Sequence, residues 1–168
     1  MVVKHQDTFW LTGGKLITPR GILEGAVQVH GGRIAAIRAK APGGSRVISV
    51  RGAYVAPGFI DLHVWGEPEA VSQSAVRGGT TAFLTALGPE PPARLVRHVA
   101  ERSRAARLPG AECLGVHLEG PFLNPVRGGV LRKSAMRRAS VRELARLARA
   151  ARGRLRLMTL APERPGGI

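Results

Sequence analysis

From residue 58 onward, apolar runs of strand length alternate with helical segments, and this alternation restricts the possible folds more than any other feature. The runs are "GFIDLHV" (58–64), "TTAFLTA" (80–86), "ECLGVHLEG" (112–120) and "RLRLMTLAPE" (154–163). Between the second and third lies "PPARLVRHVAERSRAARLPG" (91–110). It opens with proline, sets Leu95, Val96, Val99 and Ala100 on one side, and stops at Pro109-Gly110. Before the fourth, Ser140 and Glu143 have the spacing of a capping box, in which each side chain satisfies a free amide of the first turn. The helix it opens carries Leu144, Leu147, Ala148 and Ala151 at i, i+3, i+4 and i+7. Strands separated by helices predict parallel β/α units. Four such strands, starting near residues 55, 80, 113 and 155, are half of a closed (β/α)8 barrel, which takes eight strands in about 250 residues. The predicted class is therefore α/β, a partial TIM barrel of about four β/α units.

Residues 9–60 follow a different pattern, with short strands joined by tight turns. "FWLTGGKLIT" is expected to break at Gly13-Gly14 and again at Pro19-Arg20-Gly21. "GAVQVHGGRIAAIRA" places Val27 and Val29 before, and Ile34 and Ile37 after, a Gly31-Gly32 connection, which is a hairpin signal. "SRVISVRGAYVAPGFIDLHV" adds extended runs hinged at Gly52 and Pro57-Gly58. The expected domains are a small β portion over 1–55 and the β/α portion over 56–168.

A chain of 168 residues is long enough for a good core and too short for two large domains. It has no run of 18 apolar residues and no apolar segment at its start, so neither a membrane span nor a secretory signal is expected. The single cysteine, Cys113, lies in an apolar stretch and can form no internal disulfide. Together these features predict a soluble, cytoplasmic location. The net charge of +15, from 26 Lys+Arg against 11 Asp+Glu, raises nucleic acid as a partner. The arginines, however, are dispersed without a compact basic block, and aromatics that would stack on bases make up only 4%. Charge alone does not carry a nucleic-acid function here.

In a β/α barrel the reacting groups sit where strands end, on the C-terminal face. Three strand ends carry suitable groups: Asp61, His63 and Trp65 in "PGFIDLHVWG", Glu119 in "HLEGPF", and Glu163 in "TLAPE". His63 has the chemistry of a metal ligand, although a lone histidine is more often a hydrogen-bonded core residue. Paired histidines in an HxH strand chelate one ion, and here Trp65 holds the second position. Asp61 shares the period of His63 and could orient it or simply cap a turn. Glu119 follows His117 by two, so both side chains leave the strand on the same side; an exposed edge carboxylate is the plainer alternative.

"GGKLITPRGILEGAVQVHGGRIAAI", "VAPGFIDLHVWG", "GGTTAFLTA", "GVHLEGPFLNPVRGG" and "MTLAPE" occur in the order seen in the amidohydrolase superfamily. Within it, "HLEGPF" followed by "LAPE" resembles the N-acetylglucosamine-6-phosphate deacetylase family, and the match extends over that enzyme's N-terminal half only. The resemblance implies a (β/α)8 barrel with a small β-sandwich formed from both chain ends, so that residues 1–55 are expected to be a β-sandwich portion and 56–168 the N-terminal half of a metal-dependent hydrolase barrel. It implies hydrolysis of the N-acetyl group of an amino-sugar phosphate, assisted by a divalent metal such as Zn, Fe or Co. It also implies metal-ligand roles for Glu119 and for His63, the first histidine of the HxH pair. No catalytic residue is assigned.

The sequence departs from the family pattern in three ways. The family's two histidine ligands and catalytic aspartate lie beyond the part that this chain matches. Only residues 67–77 separate "HVWG" from "GGTT", where a longer loop and helix are usual. Gly128-Gly129-Val130 replaces a Gly-Ala-His stretch, and no histidine follows His117. One carboxylate and one imidazole fall short of the three protein ligands of a catalytic zinc site. The chain is therefore expected to be a truncated deacetylase-like hydrolase, inactive alone, that self-associates or needs a complementary C-terminal half. Two alternatives remain open: another amidohydrolase of the dihydroorotase or hydantoinase kind, and a non-catalytic remnant or interaction protein.

Overall fold

The computed structural model describes residues 7–105 and 108–167, which divide after Pro57 into two compact units. The first unit is one five-stranded sheet. Strands β1 (Thr8–Thr18), β2 (Gly21–His30) and β3 (Arg33–Arg38) form an antiparallel meander, and β4 (Val47–Ser49) and β5 (Tyr54–Val55) run parallel to β1. The β2–β3 turn has positive φ at Gly31 and Gly32 (57° and 74°), the pair of left-handed positions that a two-residue hairpin needs to match strand twist. The expected break at Gly13-Gly14 is instead a bulge within a continuous β1. Gly13 takes φ 78°. At Gly14 a Cβ would come within 2.9 Å of Val55 and 3.0 Å of the Ala53 carbonyl, so β5 can lie against it only because it is glycine. Phe9, Trp10, Leu16, Ala26 and Val27 are buried, while Ile34, Ile37, Val47 and Tyr54 stay exposed. Among the described residues this unit has the one sheet, without a second layer stacked on it.

The second unit is a curled, wholly parallel sheet in the order β6-β7-β8-β9, the partial TIM barrel of the α/β class. The strands are β6 (Phe59–Val64), β7 (Thr80–Leu87), β8 (Glu112–Glu119) and β9 (Leu155–Thr159). Helices α1 (Pro68–Ala75), α2 (Pro92–Arg102) and α3 (Val141–Ala150) connect them. Leu95 and Val99 of α2 and Leu147 of α3 bury against Leu87, Val116 and Leu118 of the sheet, with Ala151 completing the cluster. A second cluster gathers Val71, Phe83, Ala105, Ala111 and Cys113. None of the described helices is long and apolar enough to cross a membrane.

Several local expectations change in the structure. Helix α2 ends at Arg102, well before Pro109, because the chain turns inward there and buries Ser103 and Ala105. Ser140 does cap α3, accepting from the Glu143 amide at 3.3 Å. The carboxylate of Glu143 is held by Arg137 rather than closing the reciprocal half of the capping box. Leu144 and Ala148 remain exposed, so α3 buries a narrower stripe, Leu147 and Ala151, than its periodicity suggests. Helix α1 fills the short interval after Val64. It is a single eight-residue piece that starts on Pro68, continues as a 3-10 turn (Val76–Gly78) and ends at Gly79 with φ 87°.

Candidate functional site

Strand β8 stops at Glu119 because Gly120 adopts φ 98°, a conformation that suits glycine. Its amide donates to the Thr159 carbonyl at the end of β9 (3.0 Å). Leu118, of opposite parity, is fully buried in the helix-facing core. His117 and Glu119 therefore leave the other side of the sheet together, as period-two alternation requires. Across the sheet, His117 pairs in register with Leu157 and Glu119 with Thr159.

These residues meet His63, near the end of β6. His63 Nε2 lies 3.5 Å from Glu119 Oε2, and both side chains are partly exposed. Both line a cavity of about 480 Å3, together with Trp65, Arg127, Thr159 and Glu163. Of the expected strand-end groups, His63, Trp65, Glu119 and Glu163 line this one concavity, and Asp61 does not. Asp61 is occupied locally, its Oδ1 accepting from the His63 amide at 3.0 Å. Glu163 Oε1 accepts from Asn124 Nδ2 at 3.0 Å, and that hydrogen bond is the main reason its carboxyl lies below the usual carboxylate range.

The residue whose position sequence reasoning missed is His117. It is buried (6% exposed) and joins three strands. Its Nδ1 lies 2.9 Å from the Leu62 carbonyl of β6 and 3.1 Å from His63 Nδ1, and its Nε2 lies 2.9 Å from Thr159 Oγ1 of β9. The signal available in the sequence was its parity with Glu119. Trp65 completes the cluster. Its indole N–H donates to His63 Nε2 at 3.0 Å, with the two rings edge to face at 5.6 Å.

The hydrogen-bond roles conflict. An indole nitrogen only donates, so its bond to Nε2 requires the proton of a neutral His63 to sit on Nδ1, facing His117. The Leu62 carbonyl only accepts, and it calls for a proton on His117 Nδ1. Both demands together set two N–H groups against each other across 3.1 Å. The ring pair therefore satisfies Trp65 or Leu62, but not both.

The cluster suits a metal in part. Zinc–nitrogen and zinc–oxygen bonds of about 2.0–2.1 Å at a tetrahedral angle put two ligand atoms roughly 3.3 Å apart. The 3.5 Å between His63 Nε2 and Glu119 Oε2 is close to that bite. Among the described residues, however, no group of three His, Cys, Asp or Glu side chains could hold an ion.

Residues 4–49 match the family described as allantoinase, composite domain. The chain is 30% identical over 162 residues to an N-acetylglucosamine-6-phosphate deacetylase of Bacillus subtilis, covering 84% of this chain and 41% of the relative. A crystal structure of a mutant N-acetyl-D-glucosamine-6-phosphate deacetylase from Mycobacterium smegmatis, in complex with N-acetyl-D-glucosamine-6-phosphate, superposes with a TM-score of 0.80 at 30% identity. It covers 95% of this chain and 45% of that one. The chain belongs to the amidohydrolase superfamily. Within it, the chain is similar to the N-terminal portion of the N-acetylglucosamine-6-phosphate deacetylases and spans less than half of their length. A dihydroorotase of Anaeromyxobacter dehalogenans is 37% identical, over 89 residues that cover only 45% of this chain. Metal dependence is general in this superfamily.

Proposed function

We propose that this chain supplies one half of a deacetylase-type active site, acting on the N-acetyl group of an amino-sugar phosphate. The observation that supports this most is the placement of Glu119 at the end of β8, 3.5 Å from His63 and on the rim of the same cavity. In this reading Glu119 is the carboxylate ligand of a divalent metal and His63 a second ligand, and no catalytic residue is assigned within the chain. The metal, when bound, polarises the amide carbonyl and lowers the pKa of a water. The chain's own part is to hold its two ligands at the strand ends, while His117 and Thr159 tie β6, β8 and β9 together beneath them.

The test is a chimera in which residues 1–168 replace the matching segment of the Bacillus subtilis relative. The expected result is metal-dependent hydrolysis of N-acetylglucosamine 6-phosphate, reduced at least a hundredfold by Glu119→Gln. A folded chimera without that activity, or one indifferent to Glu119→Gln, overturns the proposal. Dihydroorotate, assayed alongside, tests the reading suggested by the 89-residue dihydroorotase match. By itself the 168-residue polypeptide should turn over negligibly, because two ligands hold a metal weakly.

A further inference from the structure

Helix α3 gathers arginines that are scattered along the sequence into one charged stripe. Residues 120–162 hold 11 Lys+Arg and a single acid, Glu143, so they carry +10 of the chain's +15 net charge. The Glu143 carboxylate is taken by Arg137. At about 100° per residue, Arg142, Arg146 and Arg149 fall within roughly 60° of one another and span about 10 Å of helix axis. Leu147, on the other side of the helix, packs in the core with Leu118, and all three arginines are exposed. Among the described residues, no carboxylate pairs with any of them. On the adjacent helix α2, by contrast, Arg94, Arg97 and Arg102 meet Glu90, Glu101 and Glu67. An arginine-rich composition accounts for the arginines of both helices. It does not account for the missing acids on α3.

We propose that the stripe of Arg142, Arg146 and Arg149, extended by Arg152, is a docking surface for the phosphate backbone of double-stranded nucleic acid. Arg152 follows the helix and is exposed. It is the one non-glycine residue with positive φ (49°) among the described residues. Glycine is usual at a left-handed position just after a helix, so the chain keeps a cation where its backbone favours none. Guanidinium groups match phosphate oxygens in pairs. Helix α3 has no aromatic residue on which an unpaired base could stack, which favours a duplex over a single strand. Its apolar side is spent on the sheet, so it has none to bury in an anionic bilayer. Contacts to phosphates position a duplex without reading its bases, and the binding should be indifferent to sequence. The stripe covers the Leu118 side of the sheet, whereas Glu119 leaves the other side. Docking there leaves the cavity of His63 and Glu119 open.

The test is fluorescence anisotropy of the intact chain with a labelled DNA duplex of about 20 base pairs and scrambled sequence, over a range of NaCl concentrations. Four phosphate contacts predict that log K falls against log salt with a slope of about −3.6. Each arginine removed should flatten that slope by about 0.9 and weaken binding roughly eightfold at about 0.1 M salt. Arg142→Gln/Arg149→Gln should therefore lose about sixtyfold, with an unchanged circular dichroism spectrum. Arg152→Gly should lose about eightfold and melt no lower than the natural chain, because glycine relaxes the left-handed position. Arg94→Gln/Arg97→Gln removes the same charge from α2 and should bind almost as the natural chain does. Equal losses in the two double variants would mean attraction to net charge alone and overturn the proposal. Undiminished binding by Arg142→Gln/Arg149→Gln or Arg152→Gly overturns it as well. So does tighter binding of a single strand of the same length, of vesicles containing phosphatidylserine, or no binding of the duplex by the natural chain.

Discussion

At the scale of single residues, the site is a set of side chains whose partners fix their chemistry. Glu163 shows this most simply, because the Asn124 amide stabilises its ionised form. A glutamate whose folded pKa is lowered adds stability above its ordinary pKa and loses it as pH falls through the lowered value. Asn124→Ala should therefore raise the Glu163 titration midpoint toward that of a free glutamate, read by carboxyl NMR; an unmoved midpoint contradicts the assignment. The same side chain accepts from the Val126 amide through Oδ1, so the variant should also loosen the turn at 125–127. His117 is the costlier position. His117→Ala leaves the Leu62 carbonyl and the Thr159 hydroxyl without that partner and opens a buried space. A loss of roughly 2–4 kcal/mol is expected in denaturant unfolding. His117→Asn, which keeps a donor and an acceptor, should recover part of it.

At the scale of elements, the sequence was most readable where a period and a stop signal coincide. The parallel strands β7 and β8 and the Gly31-Gly32 hairpin form where alternation and turn glycines predicted them. Boundaries set by tertiary contact were less legible. Helix α2 ends early because Ala105 joins a core built from Val71, Phe83 and Ala111, residues far from it in the sequence. Glu143 leaves its own helix terminus because Arg137 offers a stronger, charge-assisted partner. The site divides in the same way. Strand-end placement and side-chain parity in "HLEGPF" and "PGFIDLHV" made Glu119 and His63 legible. The contacts of His117 with Leu62 and Thr159, and the reach of Trp65 to His63, depend on how four strands lie side by side. The Ser140 cap gives an element-level prediction: Ser140→Ala removes the acceptor of the Glu143 amide and should cost about 1 kcal/mol, measurable as a lowered midpoint in urea.

At the scale of the whole molecule, the four-stranded sheet has two outer edges, β6 and β9, that pair with no other described strand. Phe59, Ile60 and Leu62 are exposed on β6, and Leu157 and Leu160 at β9. Parallel sheets are ordinarily covered on both faces, and an unpaired apolar edge recruits further strands. The proposed consequence is association of the chain with itself or with a complementary half. Sedimentation velocity over a hundredfold range of concentration should show a rising weight-average mass, and Leu157→Lys should suppress it; a constant monomer contradicts it. The most direct measurement of the central claim is X-ray absorption at the zinc edge of the Zn2+-saturated chain. The account predicts a first shell of oxygen and imidazole nitrogen without sulfur, with the imidazole signal lost in His63→Ala. A sulfur ligand from Cys113, or an imidazole shell that survives in His63→Ala, would contradict it.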